Sequence, residues 1–547
     1  MNKMTAGKRQ NQKSKEGLLQ TICRAPGLLV SAAISLFMAA IIVVMPFYNE
    51  EGYTHIGTDK YTFLKNSGIF AGKVLAVLLL FWLAAQLVRM WKEGKDNGRG
   101  EVLTGTTRID LSITDLCALM FGFVVILSFF SSRYQTEAVY GATGWFMGMA
   151  TELGFVLLYF LIAHGWRRWK WIPMLFLPVS AVVFVLGYLN RFGIYPVNMA
   201  SARPDFISTI GNINWYCGYL VTVFFGGVYL LWRADFTKKW VKGILMAYVA
   251  VGFASLVTQG SSSGLLTMMV VLLLMFFWSV ADGRRMLAYL ETVFILSAVC
   301  LVTCLIRLLA PGAITYSEAS MDLFTLSPVP FLMAAVSGGL WYWVKKASDQ
   351  KKYPQKAFQK LSKALFIIVA AGVGIFLILI ILNTLLPKGL GPLAGVSFLN
   401  FGPGWGSNRG ATWRAGVMSF LEQDTWHKMV GVGPDCMAAY LYTDGSQNLL
   451  NMVNGQFSGL RLTNAHNEWL SMLVNVGLLG MISYVGMMVT AIVRFLKKGG
   501  ASLIAGACGL CLLAYTVNNM VSFQQSMSAA TMFVVLGIGE AYARRDV

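Results

Sequence analysis

ALFIIVAAGVGIFLILIILNTLL, running from Ala364 to Leu386, carries no charged side chain and is bounded by Lys363 and Pro387. At about 1.5 Å of rise per residue, a helix of this length crosses the hydrocarbon core of a bilayer. Similar runs recur along the chain near residues 26 to 48, 69 to 89, 112 to 130, 144 to 163, 171 to 189, 212 to 232, 243 to 258, 263 to 280, 288 to 306 and 327 to 344. Three more follow it, near 466 to 493, 501 to 517 and 521 to 539. The pattern predicts an all-α polytopic membrane protein with about fourteen transmembrane helices.

Composition agrees. Hydrophobic residues make up 56% of the chain, charged residues only 13%, and mean hydropathy is +0.61, far from a soluble protein of 547 residues. The first run, Gly27 to Phe47, is too long for a signal-peptide core and is expected to be retained. The expected organisation is a basic arm (1–25), a membrane domain of eleven spans (26–386), a large loop (387–465), and three further spans with a tail (466–547).

A net charge of +19 could suggest nucleic acid, but the distribution of the charge excludes that reading. Of the 44 Lys and Arg residues, 32 fall in the N-terminal arm and in alternate links: 89–108, 167–170, 233–242, 284–285, 345–363, 494–498 and 544–545. By the positive-inside rule this side is cytoplasmic and holds both termini. The surplus charge is a topology signal and a contact for anionic membrane lipids. Most of the eight cysteines lie within apolar runs, and no disulfide framework or metal site is indicated.

The same rule puts the polar interval Pro387 to Thr463, between spans 11 and 12, on the extracytoplasmic side. No nucleotide is available there, so a transfer reaction at that face needs a substrate that brings its own leaving group. The interval contains Asn408-Arg409-Gly410-Ala411-Thr412-Trp413-Arg414, Gly431-Val432-Gly433-Pro434-Asp435, and Arg461. A short helix is expected to carry Arg409 and Arg414. Another outer link, Asn190 to Gly211, holds Arg191 and Arg203 against the positive-inside bias, and arginine's planar fork of donors matches phosphate oxygens.

The interval runs into Thr463-Asn464-Ala465-His466-Asn467-Glu468-Trp469-Leu470. Thr463 or Asn464 is expected to cap the next span, with His466 in its first turn. The positive end of that helix would keep His466 neutral, as a general base requires, while Glu468 pulls the other way.

Three signatures, Arg409-x-x-x-Trp413, Gly431-x-Gly433, and Ala465-His466-Asn467 followed by Gly477-Leu478-Leu479-Gly480, resemble the superfamily of O-antigen ligases and Wzy-type polysaccharide polymerases. Weaker similarities extend to Asp115, Ala138 to Gly141, Gly211 to Asn214, and Asn518-Asn519. The resemblance implies metal-independent, cofactor-free glycosyl transfer from an undecaprenyl diphosphate-linked oligosaccharide to a glycan or lipid-linked acceptor. His466 and Arg409 would be catalytic, and Arg191, Arg203, Arg414, Arg461, Asn467 and Glu468 would bind substrate. Many relatives carry Ser-Arg-Gly where this chain has Gly260-Ser261-Ser262-Ser263-Gly264, so another arginine would have to supply that charge.

The span count leans toward a polymerase of surface-polysaccharide repeat units rather than a ligase moving a finished glycan. A transporter of lipid-linked saccharides would also be polytopic. It would be expected to show paired halves and a path of charges at mid-membrane, whereas Asp115, Glu152 and Glu291 suggest no pathway.

Overall fold

The computed structural model describes residues 27–96, 110–199, 204–314, 316–386 and 388–544. Arg203 lies outside them. The architecture is α-helical, with one two-residue hairpin, β1 (Phe206–Ile207) against β2 (Gly211–Asn212), among the described residues.

The helices in chain order are α1 (Gly27–Val44), α2 (Ile56–Ala85), α3 (Ile113–Ser131), α4 (Gln135–Tyr140), α5 (Met149–Gly165), α6 (Trp171–Arg191), α7 (Ile213–Arg233), α8 (Lys239–Thr258), α9 (Ser262–Ser279), α10 (Gly283–Leu309), α11 (Ala319–Thr325), α12 (Val329–Asp349) and α13 (Gln355–Leu385). They continue with α14 (Trp405–Glu422), α15 (Thr425–Val430), α16 (Met437–Thr443), α17 (Gln447–Phe457), α18 (Glu468–Asn475), α19 (Gly477–Lys498), α20 (Leu503–Asn519) and α21 (Ser526–Ala543). Eleven of the described helices are long and apolar enough to cross a membrane. A twelfth span results if α11 and α12, bent by 50°, are counted as one, and α5 and α20 are shorter apolar helices. The protein is a multi-pass membrane protein.

Burial separates the centre of the bundle from its lipid-facing rim. In α21, 94% of the apolar window is buried and in α7 83%, against 6% in α13. α21 packs against α5, α7, α19 and α20, and α19 also packs along α3. The centre is rich in small and hydroxyl-bearing residues, including Ser528, Ala529, Ala530 and Thr531 of α21, which let backbones approach where lipid offers no hydrophobic drive to association.

Charges at the end opposite His466 are paired. Asp115 caps α3 in a reciprocal box with Ser112, accepts from the Tyr159 hydroxyl at 2.6 Å and pairs with Arg544. Glu540 pairs with Arg494 at 2.7 Å, and Glu291 with Lys242 at 2.7 Å. At the other end of α1, Lys60 donates to the Met45, Pro46 and Tyr48 carbonyls, each at 2.9 Å, closing that helix terminus.

The expected continuous helix from 466 is broken. α18 ends at Asn475, and α19 begins at Gly477, whose φ is +68°. The break is where the Gly431–Gly433 turn docks: the Val432 and Gly433 amides donate to the Val474 and Asn475 carbonyls at 3.2 and 3.0 Å. A β-carbon on Gly431 would collide with the Asn475 carbonyl, and one on Gly477 with Met429. Both glycines are therefore required by close backbone approach as well as by positive φ.

Candidate active site

The N-termini of α7 and α9 meet beside the C-terminus of α6, with the N-terminus of α21 against α7. Side-chain caps already take first-turn N–H groups of α7 and α21, and the positive ends of the helix dipoles make the region attractive to an anion. Contacts here join α7 to α9 and to the end of α20, and α21 to the loop before α5. The Ser261 hydroxyl donates to Asn214 Oδ1 at 2.9 Å, the Cys217 thiol to Asn518 Oδ1 at 3.4 Å, and the Ser526 amide to the Trp145 carbonyl at 3.2 Å.

His466 stands just before α18, not within its first turn. Its φ is +49°, and Asn467, not Thr463 or Asn464, is the N-cap, its Oδ1 accepting from Trp469 and Leu470 at 3.0 and 3.1 Å. Asn464 instead steadies the base, its Oδ1 accepting the His466 backbone N–H at 2.9 Å. The imidazole stands edge-on to Phe523, with ring centroids 5.0 Å apart at 89°. No hydrogen bond among the described residues engages either ring nitrogen. Burial, then the nearby Arg409 guanidinium, lowers the His466 pKa to about 4, so the ring is neutral at ordinary pH. Burial and Arg409, rather than the helix end expected from the sequence, are the causes of the shift.

Arg409 lies where α14 becomes regular, after three residues of left-handed backbone, Gly406 to Asn408. Its Nε donates to the Val521 carbonyl at 2.7 Å and Nη1 to the Gly406 carbonyl at 2.8 Å. The fork is thereby fixed beside the 521–523 segment that carries Phe523. Its remaining N–H groups are left for an outside acceptor.

Arg191 is 3% exposed at the end of α6. Nη1 donates to the Pro204 carbonyl at 2.7 Å and Nη2 to that of Gln259, with the Tyr316 ring 4.6 Å away. Nε is buried without a partner. The guanidinium stands against Gly260.

The other expected residues separate. Arg414 is exposed on α14, and five residues of helix turn it about 140° from Arg409. Arg461, with its side chain 61% exposed, reaches Glu137 at 3.9 Å and lies over the Tyr442 ring. Glu468 turns away from His466 and is fully inside, accepting from Tyr484, Tyr515 and Asn519. Phe523, Gln259 and Tyr316 were not legible as site residues, since nothing local in the sequence marks them. Among the described residues, no group of three His, Cys, Asp or Glu side chains is arranged to hold a metal ion.

No known protein family matches this chain, and no characterised protein matches it.

Proposed function

We propose that the protein is a glycosyltransferase of the outer face of a bacterial cytoplasmic membrane, transferring a saccharide from an undecaprenyl diphosphate carrier to an acceptor hydroxyl and, by repetition, polymerising surface-polysaccharide repeat units. One observation carries the reading. A neutral imidazole with both ring nitrogens unengaged stands beside a fixed arginine fork.

In this reaction His466 accepts the proton of the acceptor hydroxyl as its oxygen bonds to the anomeric carbon. The bond from that carbon to the phosphate oxygen breaks, and the diphosphate leaves with the electron pair. Arg409, Arg191 and the helix N-termini offset the charge that develops. The bound diphosphate raises the proton affinity of His466 in the complex, and the proton then passes to water. Oriented donors and one positioned base account for a typical contribution of about 10² to 10⁴ in rate from the proton transfer alone.

The test is to incubate purified wild type and His466→Ala, without added metal, with lipid diphosphate-linked oligosaccharide from the host. Product ladders and released undecaprenyl diphosphate from wild type alone support a polymerase. A single transferred glycan identifies a ligase. Full activity in the folded variant removes His466 from the chemistry, and transport of the lipid without bond cleavage favours a carrier.

A further inference from the structure

A second concavity, of about 970 Å³, opens beside the candidate site between the 133–146 segment and the α16 to Thr463 region. Its size is that of an ordinary small-molecule site. Its lining differs in kind from the arginine site. Tyr134, Tyr140 and Phe146 contribute ring surface, and Gln135, Glu137 and Arg461 contribute donors and acceptors.

Both guanidiniums of this pocket have a carboxylate neighbour. Arg461 approaches Glu137 at 3.9 Å, and Arg133 approaches Asp444 at 4.0 Å. Asp444 also accepts from the Tyr134 hydroxyl. Guanidiniums held beside carboxylates in this way are less free for a phosphate than the Arg409 fork, and the polar rim is unsuited to an acyl chain. Flat apolar faces bordered by paired polar groups suit a neutral polyhydroxyl compound, whose C–H faces cover rings while its hydroxyls exchange hydrogen bonds with amide, carboxylate and guanidinium groups.

The rings are held in position. Tyr61 stacks on Phe146 at 4.2 Å with an interplanar angle of 3°, and Lys65, one turn later on α2, lies 5.7 Å from the centre of the Tyr140 ring. Phe146 has φ of +55°, an unfavourable conformation for a bulky residue. Tyr140, by contrast, is 52% exposed and offers the pocket a face that packing does not use.

The pocket and the base are borne on adjoining segments. Thr463, at its edge, is three residues before His466. Asp435 accepts the amide N–H of Ala142, a pocket residue, at 2.8 Å and that of Met147 at 3.1 Å. Asp435 and Met147 also line an inner cavity with Asn464 and Phe523, and Phe523 is the ring against His466.

We infer that the Tyr134–Tyr140–Phe146 pocket binds the acceptor saccharide and presents its terminal hydroxyl toward His466. This rests on the glycosyl-transfer reading and adds to it the location of the second substrate.

Purified full-length wild type, Tyr140→Ala and Tyr140→Phe are compared using oligosaccharide released by mild acid from the host's lipid diphosphate-linked saccharide. Loss of the exposed ring raises the acceptor KM about tenfold with donor KM changed less than twofold, and Tyr140→Phe restores the wild-type value. Unchanged acceptor KM in Tyr140→Ala overturns the inference. Saturation-transfer NMR with the free oligosaccharide separates this failure from failure of the chemistry, because it reports contact whether or not transfer occurs. A signal in wild type that Tyr140→Ala loses supports the pocket even if no transfer is found, in which case only the proposed reaction falls. No signal in wild type, or an equal one in Tyr140→Ala, overturns the pocket.

Discussion

The Nη2 atom of Arg191 lies 3.1 Å from the point where a β-carbon on Gly260 would sit, and the Tyr316 ring lies 2.5 Å from the same point. The 260–264 segment lacks its own arginine, and the end of α6 brings one to it through space. Gly260 has φ of +94°, so an alanine there meets backbone strain as well as collision. Gly260→Ala is expected to displace Tyr316 and the Arg191 fork and to raise donor KM at least tenfold while the protein still elutes as a single folded species. An unchanged donor KM would mean that Arg191 does not hold the leaving group.

Arg409 and burial together depress the His466 pKa to about 4. Removing the guanidinium charge in Arg409→Gln leaves the burial and lifts the cation's contribution, so the pKa moves up toward the ordinary histidine value near 6.5. The chain has four histidines, which makes an NMR titration of imidazole carbons assignable by single substitutions. An imidazole that titrates identically in both proteins would show that the two side chains are not electrostatically coupled.

Stability should depend on pH through opposed groups, His466 on one side and the buried carboxyls on the other. For His466 the folded pKa, about 4, lies below the unfolded value near 6.5. As pH falls through that window the unfolded chain takes a proton the folded one refuses, so stability declines and then levels off below 4. For Asp435, burial raises the folded pKa from 3.8 to about 7. The folded state keeps a proton the unfolded state has lost, so stability declines as pH rises from about 4 to 7. Buried Glu468, also raised to about 7, adds to the falling trend, so Asp435→Asn flattens the decline of thermal stability between pH 4 and 7, whereas His466→Asn steepens it. Tryptophan-fluorescence melts in detergent measure both, and parallel curves for the two variants would refute the assignments.

The membrane architecture was legible because a transmembrane helix must satisfy its backbone within its own segment, so about 20 apolar residues suffice as a signal. The site was legible in part. His466 and Arg409 stand out as polar residues in a greasy chain, and they meet. Arg191 was flagged only by lying on the disfavoured side of the charge balance, and its partner Gly260 is 69 residues away in sequence, a pairing that no local pattern encodes. The start of α18 departs from expectation because Asn464 and Asn467 are both good capping residues, and docking of the Gly431–Gly433 turn, a tertiary contact, fixes where the helices begin and break. Arg414 looks equivalent to Arg409 in sequence, yet helical periodicity turns it outward.

Glu468 separates a structural carboxylate from a chemical one. It is 1% exposed and accepts hydrogen bonds from the Tyr484 and Tyr515 hydroxyls and the Asn519 amide, joining α18 to α19 and α20. Alanine leaves these buried donors without an acceptor, at about 1 to 3 kcal/mol for each group stranded, and is expected to lower the yield of folded protein and its melting temperature. Glutamine keeps the shape and one acceptor oxygen, and both tyrosine hydroxyls can rotate to accept from its amide. Glu468→Gln should therefore fold, melt within a few degrees of wild type and retain transfer activity per folded molecule. A Glu468→Gln protein that melts like wild type but has lost transfer would move this carboxylate out of the scaffold and into the reaction, as the partner of His466.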